Sequence, residues 1–174
     1  MIGRPSLPQA HRKTEATFDS HDTTMTEEAC PSLPSAGRLI AVDLGERRIG
    51  VAVCDPQQTV AQPLTTLTRR PGKRFPLNQL RPFLQEYEVV GIVIGLPLSP
   101  DGLELEGAWL ARQAGSLIQE KTGRPVEFWD ERMSTSRALS AIREMGGGTR
   151  GRKGEVDQLA ATVLLQAFLD GRKE

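Results

Sequence analysis

An α/β fold with a mixed five-stranded sheet is what the sequence predicts beyond its first 36 residues. Three observations predict it. Residues 38–54 hold two short β-branched runs joined by a charged turn. Residues 89–98 form one continuous apolar run. Amphipathic stretches of helical spacing alternate with strand-like runs from there to the end. The sheet should therefore open with three antiparallel strands and continue with alternating helices and strands, flanked by helices on its faces.

The 174 residues suffice for one ordinary domain with its own core and are too few for two large lobes. Hydrophobic content of 38% and charged content of 25% suit a globular chain diluted by non-core sequence. A formal net charge of +0 excludes a global pull on polyanions, though a local basic patch acts through its local field. Cys30 and Cys54 fit no CxxC pair or zinc spacing, which suits a reduced compartment. No apolar run is long enough to span a bilayer, and no signal-peptide core precedes a small-residue cleavage site. The expectation is a cytoplasmic protein with no membrane partner.

Residues 1–36 are rich in Pro, Ser, Thr and charge and lack apolar periodicity, so they read as a disordered leader, with Met25 an alternative start. The folded unit is expected over 37–174. "RLIAVDL" and "RIGVAVCD" are strands joined by "GER", a hairpin signal. "VAQPLTTLT" is a third strand, in which Pro63 marks an edge or a bulge. "RFPLNQLRPFLQEY" has helical spacing, with Pro82 disturbing its boundaries. "VVGIVIGLPL" reads as a strand buried on both faces, and "SPDG" as a turn. "LELEGAWLARQAGSLIQEKTG" is a helix closed by Gly123. "PVEFWDE" is a strand, "STSRALSAIREMGGG" a helix with a Ser/Thr start, and "GEVDQLAATVLLQAFLDG" a last helix. The order βββαβαβαα is that of the ribonuclease H-like fold.

Chemistry concentrates in carboxylates. Asp43 interrupts an apolar strand near its exit, on the face of Leu39 and Ala41, and either satisfies turn amides or serves as a ligand. Asp157 falls on or beside the core-facing stripe of the last helix, in line with Ala161, Leu164 and Phe168; a helix-dipole role would also explain it. In "WDERMST" the adjacent Asp130 and Glu131 face opposite sides, and strand parity alone leaves both open as partners of Asp43, or as solvated charges. Both histidines, His11 and His21, lie in the leader, so the folded unit has no histidine base. Acids on two strand ends and one helix start suit hard divalent cations, Mg²⁺ or Mn²⁺. Two such ions roughly 3.5–4 Å apart activate water and stabilise a leaving oxygen in phosphodiester cleavage.

Cations accompany them. "REMGGGTRGRKGEVD" places Arg143, Arg150, Arg152 and Lys153 around a glycine-rich loop that leads into the Asp157 helix, either a phosphate cradle or a solvated linker. Arg47 and Arg48 of "GERRIG" are candidate phosphate clamps or surface charges. Pro97 fixes a strand exit, Asp101 is a turn aspartate first and a ligand second, and Trp109 and Trp129 read as core residues before base-stacking platforms.

"AVDLGERRIGVAV", "IVIGLPLSPDG", "DERMSTSRA" and "RKGEVDQLAATVLLQ" resemble, in order and spacing, the motifs of the YqgF/RuvX family of Holliday junction resolvases, described as acting in 5′-end processing of pre-16S rRNA. The resemblance covers residues 38–171. It implies a ribonuclease H-like nuclease whose acidic triad falls on Asp43, Glu131 and Asp157, and it favours Glu131 over Asp130. RuvC resolvases, similar in fold, keep a glutamate at the end of the fourth strand. Here "IVIGLPL" offers Gly95 and Leu96, and the acid of the "DER" strand is expected in its place.

The expectation is thus a metal-dependent nuclease on RNA or DNA, with Asp43, Glu131 and Asp157 as ligands and Arg47, Arg48, Arg150, Arg152 and Lys153 on the nucleic acid. Cutting a four-way junction needs two symmetric sites, hence a homodimer for that role. A non-catalytic RNA or ribosome-assembly binding module of the same fold is the alternative. An actin-type ATPase shares the strand, Asp-x-Gly, strand hairpin, but it needs a second lobe and a second phosphate loop that this chain lacks.

Overall fold

The computed structural model describes residues 32–70, 72–132 and 153–173. Strands β1 (Leu39–Leu44), β2 (Arg48–Cys54) and β3 (Ala61–Thr68) come first, then helix α1 (Leu77–Glu86), β4 (Gly91–Leu96), α2 (Glu106–Thr122), β5 (Val126–Asp130) and α3 (Lys153–Gly171). The sheet order is β3-β2-β1-β4-β5, antiparallel across β1–β2 and β2–β3 and parallel across β1–β4 and β4–β5. This is the expected meander followed by crossover units. The helix expected over 134–148 lies outside the described residues, as do Arg143, Arg150 and Arg152.

Alternation in the strands separates two cores. Ile40, Val42, Val51, Val53, Ile92 and Ile94 face α1 and α2. Leu39, Ala41, Ala52, Cys54 and Val93 face α3, which covers them with Ala161, Leu164, Leu165 and Phe168. β4 is buried at every residue, as its unbroken apolar run requires. Trp129 meets Phe168 edge to face at 5.3 Å and 88°. β3 is an edge strand, and its register slips between Val51 and Ala52, opposite Thr65 and Pro63; the proline has no N–H for the ladder and sits where the ladder is already broken.

Pro82 lies inside α1, on its exposed side, where the carbonyl it cannot bond remains open to water. α2 ends on Gly123, left-handed at φ 68°, with its N–H on the Gln119 carbonyl. Ahead of β1 the chain is already held: Leu33 is buried, its carbonyl accepts from Arg172 Nη2 at 2.8 Å, and Gln58 Nε2 donates to the Pro34 and Gly37 carbonyls. The expectation of a core Trp109 is corrected. Trp109 is 58% exposed, because the inward face of α2 is Ala108, Ala111, Ala114, Gly115 and Ile118. A Cβ on Gly115 would lie 2.5 Å from the Phe128 ring, so the helix approaches the sheet too closely for a large residue on that face.

Candidate active site

The end of β1, the exit of β5 and the start of α3 meet on one face of the sheet. They enclose a cavity of about 310 Å³ whose polar lining is Asp43, Glu46, Arg48, Glu131 and Asp157, with Pro97 at its edge.

Each acid arrives by a separate local cause. Asp43 alternates with Leu39 and Ala41, so it stands on the α3 face, and it is only 8% exposed. Its cross-strand partner is Gly50. A Cβ at Gly50 would lie 1.9 Å from the carbonyl oxygen of Asp157, so glycine there lets the α3 backbone rest directly on β2. That contact sets Asp157 beside Asp43.

Glu131 follows from strand parity and register. Gly95 of β4 pairs with Trp129, and Trp129 packs against the α3 side. Glu131 has the parity of Trp129, and its N–H continues the ladder to the Leu96 carbonyl at 3.2 Å. Its side chain lies over Gly95, where a Cβ would come within 2.7 Å of Oε1 and 2.6 Å of Leu164 Cδ1. The bare backbone of Gly95 therefore makes the room that the β5 acid fills.

Asp130 goes elsewhere. It pairs with Leu96, a residue of the opposite core, and its carboxylate is gripped by Arg132 through Nε at 3.0 Å and Nη2 at 2.7 Å. The Arg132 guanidinium holds the Asp130 carboxyl below the usual carboxylate range. Arg132 Nη1 also reaches the Pro100 carbonyl, tying β5 to the 99–102 turn in which Asp101 is exposed.

Arg48 begins β2 with its Nε 2.5 Å from Asp157 Oδ2, an ion pair between positions 109 residues apart. Arg47 is exposed, and its carbonyl accepts from the Arg69 N–H at 2.8 Å. Lys153 is the first residue of α3; Arg150 and Arg152 lie outside the described residues. Glu46 as a lining residue and Gly50 as a spacer were not expected, and Gly95 was expected only as a position without an acid, not as the space that Glu131 fills. Two glycines inside apolar strands were the available signal for close approach.

Among the described residues no three acids converge tightly enough to hold one ion between them. The donor set is nonetheless all carboxylate oxygen. Mg²⁺ is commonly bound by one or two carboxylates together with substrate phosphates and water, and a carboxylate-lined cavity without three converging acids is compatible with that mode. No described helix is long and apolar enough to cross a membrane.

The family model described as "RuvX: Holliday junction resolvase" matches residues 37–171. A relative from Koribacter versatilis is 40% identical over 141 residues, 80% of this chain and 92% of the relative. One from Clostridium botulinum is 41% identical over 133 residues, 76% and 96%. Both carry the name "Putative pre-16S rRNA nuclease". Among solved structures, Thermus thermophilus RuvC in complex with a Holliday junction substrate aligns with TM-score 0.53 at 12% identity. The alignment covers 79% of this chain and 96% of that one, a likeness of fold.

Proposed function

This chain belongs to the RuvX family, and on that premise we propose that it is a divalent-metal-dependent nuclease that acts on the 5′ end of pre-16S rRNA, with four-way DNA junctions as a second candidate substrate. The observation that carries the reading is the convergence of Asp43, Glu131 and Asp157, from three distant stretches, on one cavity. Residues 37–174 are the proposed nuclease unit.

In this reading Asp43 and Glu131 present oxygens from the sheet and Asp157 presents one from α3. These residues would hold Mg²⁺ or Mn²⁺ together with substrate phosphate oxygens, and the ion would supply Lewis-acid activation of water and charge neutralisation at phosphorus. Arg48 pairs with Asp157, and Arg47, Arg150, Arg152 and Lys153 are assigned to the phosphate backbone of the substrate. With no histidine beyond residue 36, activation of water falls to the carboxylate site rather than to an imidazole.

The test is cleavage of single-stranded RNA, single-stranded DNA and a four-way junction by the full chain, with and without chelator. Metal-dependent products from at least one substrate are expected, and none from any would refute the proposal. A homodimer in solution is expected where the junction is cut. A second reading, a non-catalytic RNA-binding module, draws on the Arg48–Asp157 ion pair, which already engages one of the three acids. Salt-sensitive, metal-independent binding with no product would favour it.

A further inference from the structure

On the opposite face of the sheet, the loop after β3 and the outer side of α2 border a second concavity of about 720 Å³. Arg69, Lys73 and Arg74 line it from the loop, and Trp109 and Arg112 from the helix. Arg112 is already engaged: it is paired with Glu104 and its guanidinium lies 4.9 Å over the Phe128 ring. Glu120, the acid in the lining, is paired with Lys121 at 2.6 Å. Among the described residues no carboxylate lies within ion-pair distance of Arg69, Lys73 or Arg74, Glu120 acting on Arg74 only at longer range. The concavity is therefore a cationic wall facing an indole that is 58% exposed.

Its position connects it to the candidate active site. Leu44, at the end of β1, lines both concavities. The Arg69 N–H bonds the Arg47 carbonyl at 2.8 Å, fixing the start of the basic loop beside the β1–β2 turn. A Cβ on Gly107 would be 3.0 Å from Pro97 Cγ, so the first turn of α2, two residues before Trp109, rests on a residue of the cavity rim. Cations lining one concavity with an exposed aromatic ring match phosphates with exposed bases. A duplex hides its base faces and would leave Trp109 unused.

We propose that this concavity is a subsite for a single strand of nucleic acid leading away from the catalytic cavity, with phosphates on Arg69, Lys73 and Arg74 and one base stacked on Trp109. The direction of the strand rests on the nuclease reading; its binding does not.

The test is equilibrium binding of labelled single strands of about 12 nucleotides, RNA and DNA, to the full chain in chelator, beside a blunt duplex of equal length. Trp109→Ala is expected to weaken single-strand binding by about tenfold, with Trp109→Phe retaining most of it. Lys73→Ala/Arg74→Ala is expected to lower the slope of log affinity against log salt by about 1.4, the loss of two phosphate contacts. Duplex binding should change less than about twofold under Trp109→Ala, because no base face is offered. Wild-type single-strand affinity in both variants would overturn the subsite even if cleavage persists. So would Trp109→Ala altering sedimentation while leaving binding intact, since the face would then be a protein contact. Binding that depends on Trp109 in a chain that cuts nothing would sink the nuclease reading and leave the subsite standing.

Discussion

Substituting Gly50 with alanine would push on the contact that seats α3 against the sheet. The added methyl would lie 1.9 Å from the Asp157 carbonyl oxygen and 2.5 Å from its carbon. These are backbone atoms, so no rotamer change relieves the clash. Restoring an ordinary separation of roughly 3.4 Å moves the start of α3 by about 1.5 Å, or bends β2 by a comparable amount. Overpacking of this kind costs about 1–3 kcal/mol, and the backbone clash belongs at the upper end. For a domain of this size that lowers the melting temperature by about 6–12 °C. The same shift carries Asp157 away from Asp43, and a misplacement of about 1 Å near reacting groups lowers rate on the order of 10²-fold. Thermal melting and metal-dependent cleavage, measured on the same preparation, read both effects. A Gly50→Ala variant that melts and cleaves like wild type would refute the placement of α3 on β2, and with it the geometry of the site.

Two further outcomes follow from named contacts. Arg48→Ala removes an ion pair whose side chains are 41% and 26% exposed, so stability should fall by at most about 1 kcal/mol. Because Asp157 then shares no oxygen with a guanidinium, half-saturation by Mg²⁺ should drop by up to about fivefold; a metal titration of the cleavage rate checks this, and a rise would contradict it. Asp55 anchors the β2–β3 turn, accepting from the Thr59 and Val60 N–H groups at 2.7 Å each. Those hydrogen bonds, that of Val60 foremost, lower its pKa from 3.8 to about 2. Its contribution is therefore complete above about pH 4 and lost as pH falls toward 2. Asp55→Asn should melt below wild type at pH 7, and the difference should close between pH 4 and 2; a gap that persists at pH 2 would contradict the assignment.

Much of this architecture was legible because its signals are local. The β1–β2 hairpin, the doubly buried β4 and the Gly123 stop of α2 each follow from a few adjacent residues. Asp43 was legible as an oddity because an acid inside an apolar alternation is costly unless compensated. What was not legible depends on residues far apart. Asp130 and Glu131 differ by one step, and only the β4–β5 register together with the small residue at Gly95 turns one toward α3 and the other toward Arg132. The Arg48–Asp157 pair spans 109 residues, and no spacing rule reaches it. Trp109 reads as core in the sequence, whereas the sheet accepts only the small-residue face of α2 and leaves the indole outside. Leu103–Leu105, expected as helix, instead precede α2, with Glu104 bridging Leu98 across the 99–102 turn.

The central claim, that Asp43 and Glu131 act in one catalytic site while Asp130 stands outside it, is tested most directly by one comparison of metal-dependent cleavage rates. Asp43→Asn, Glu131→Gln and Asp130→Asn would be assayed beside wild type, each shown folded by its melting temperature. Losses on the order of 10²–10³-fold are expected for the first two, the scale for removing one charge-stabilising group, and less than about threefold for the third. A folded Asp43→Asn or Glu131→Gln protein that cleaves at the wild-type rate would contradict the claim.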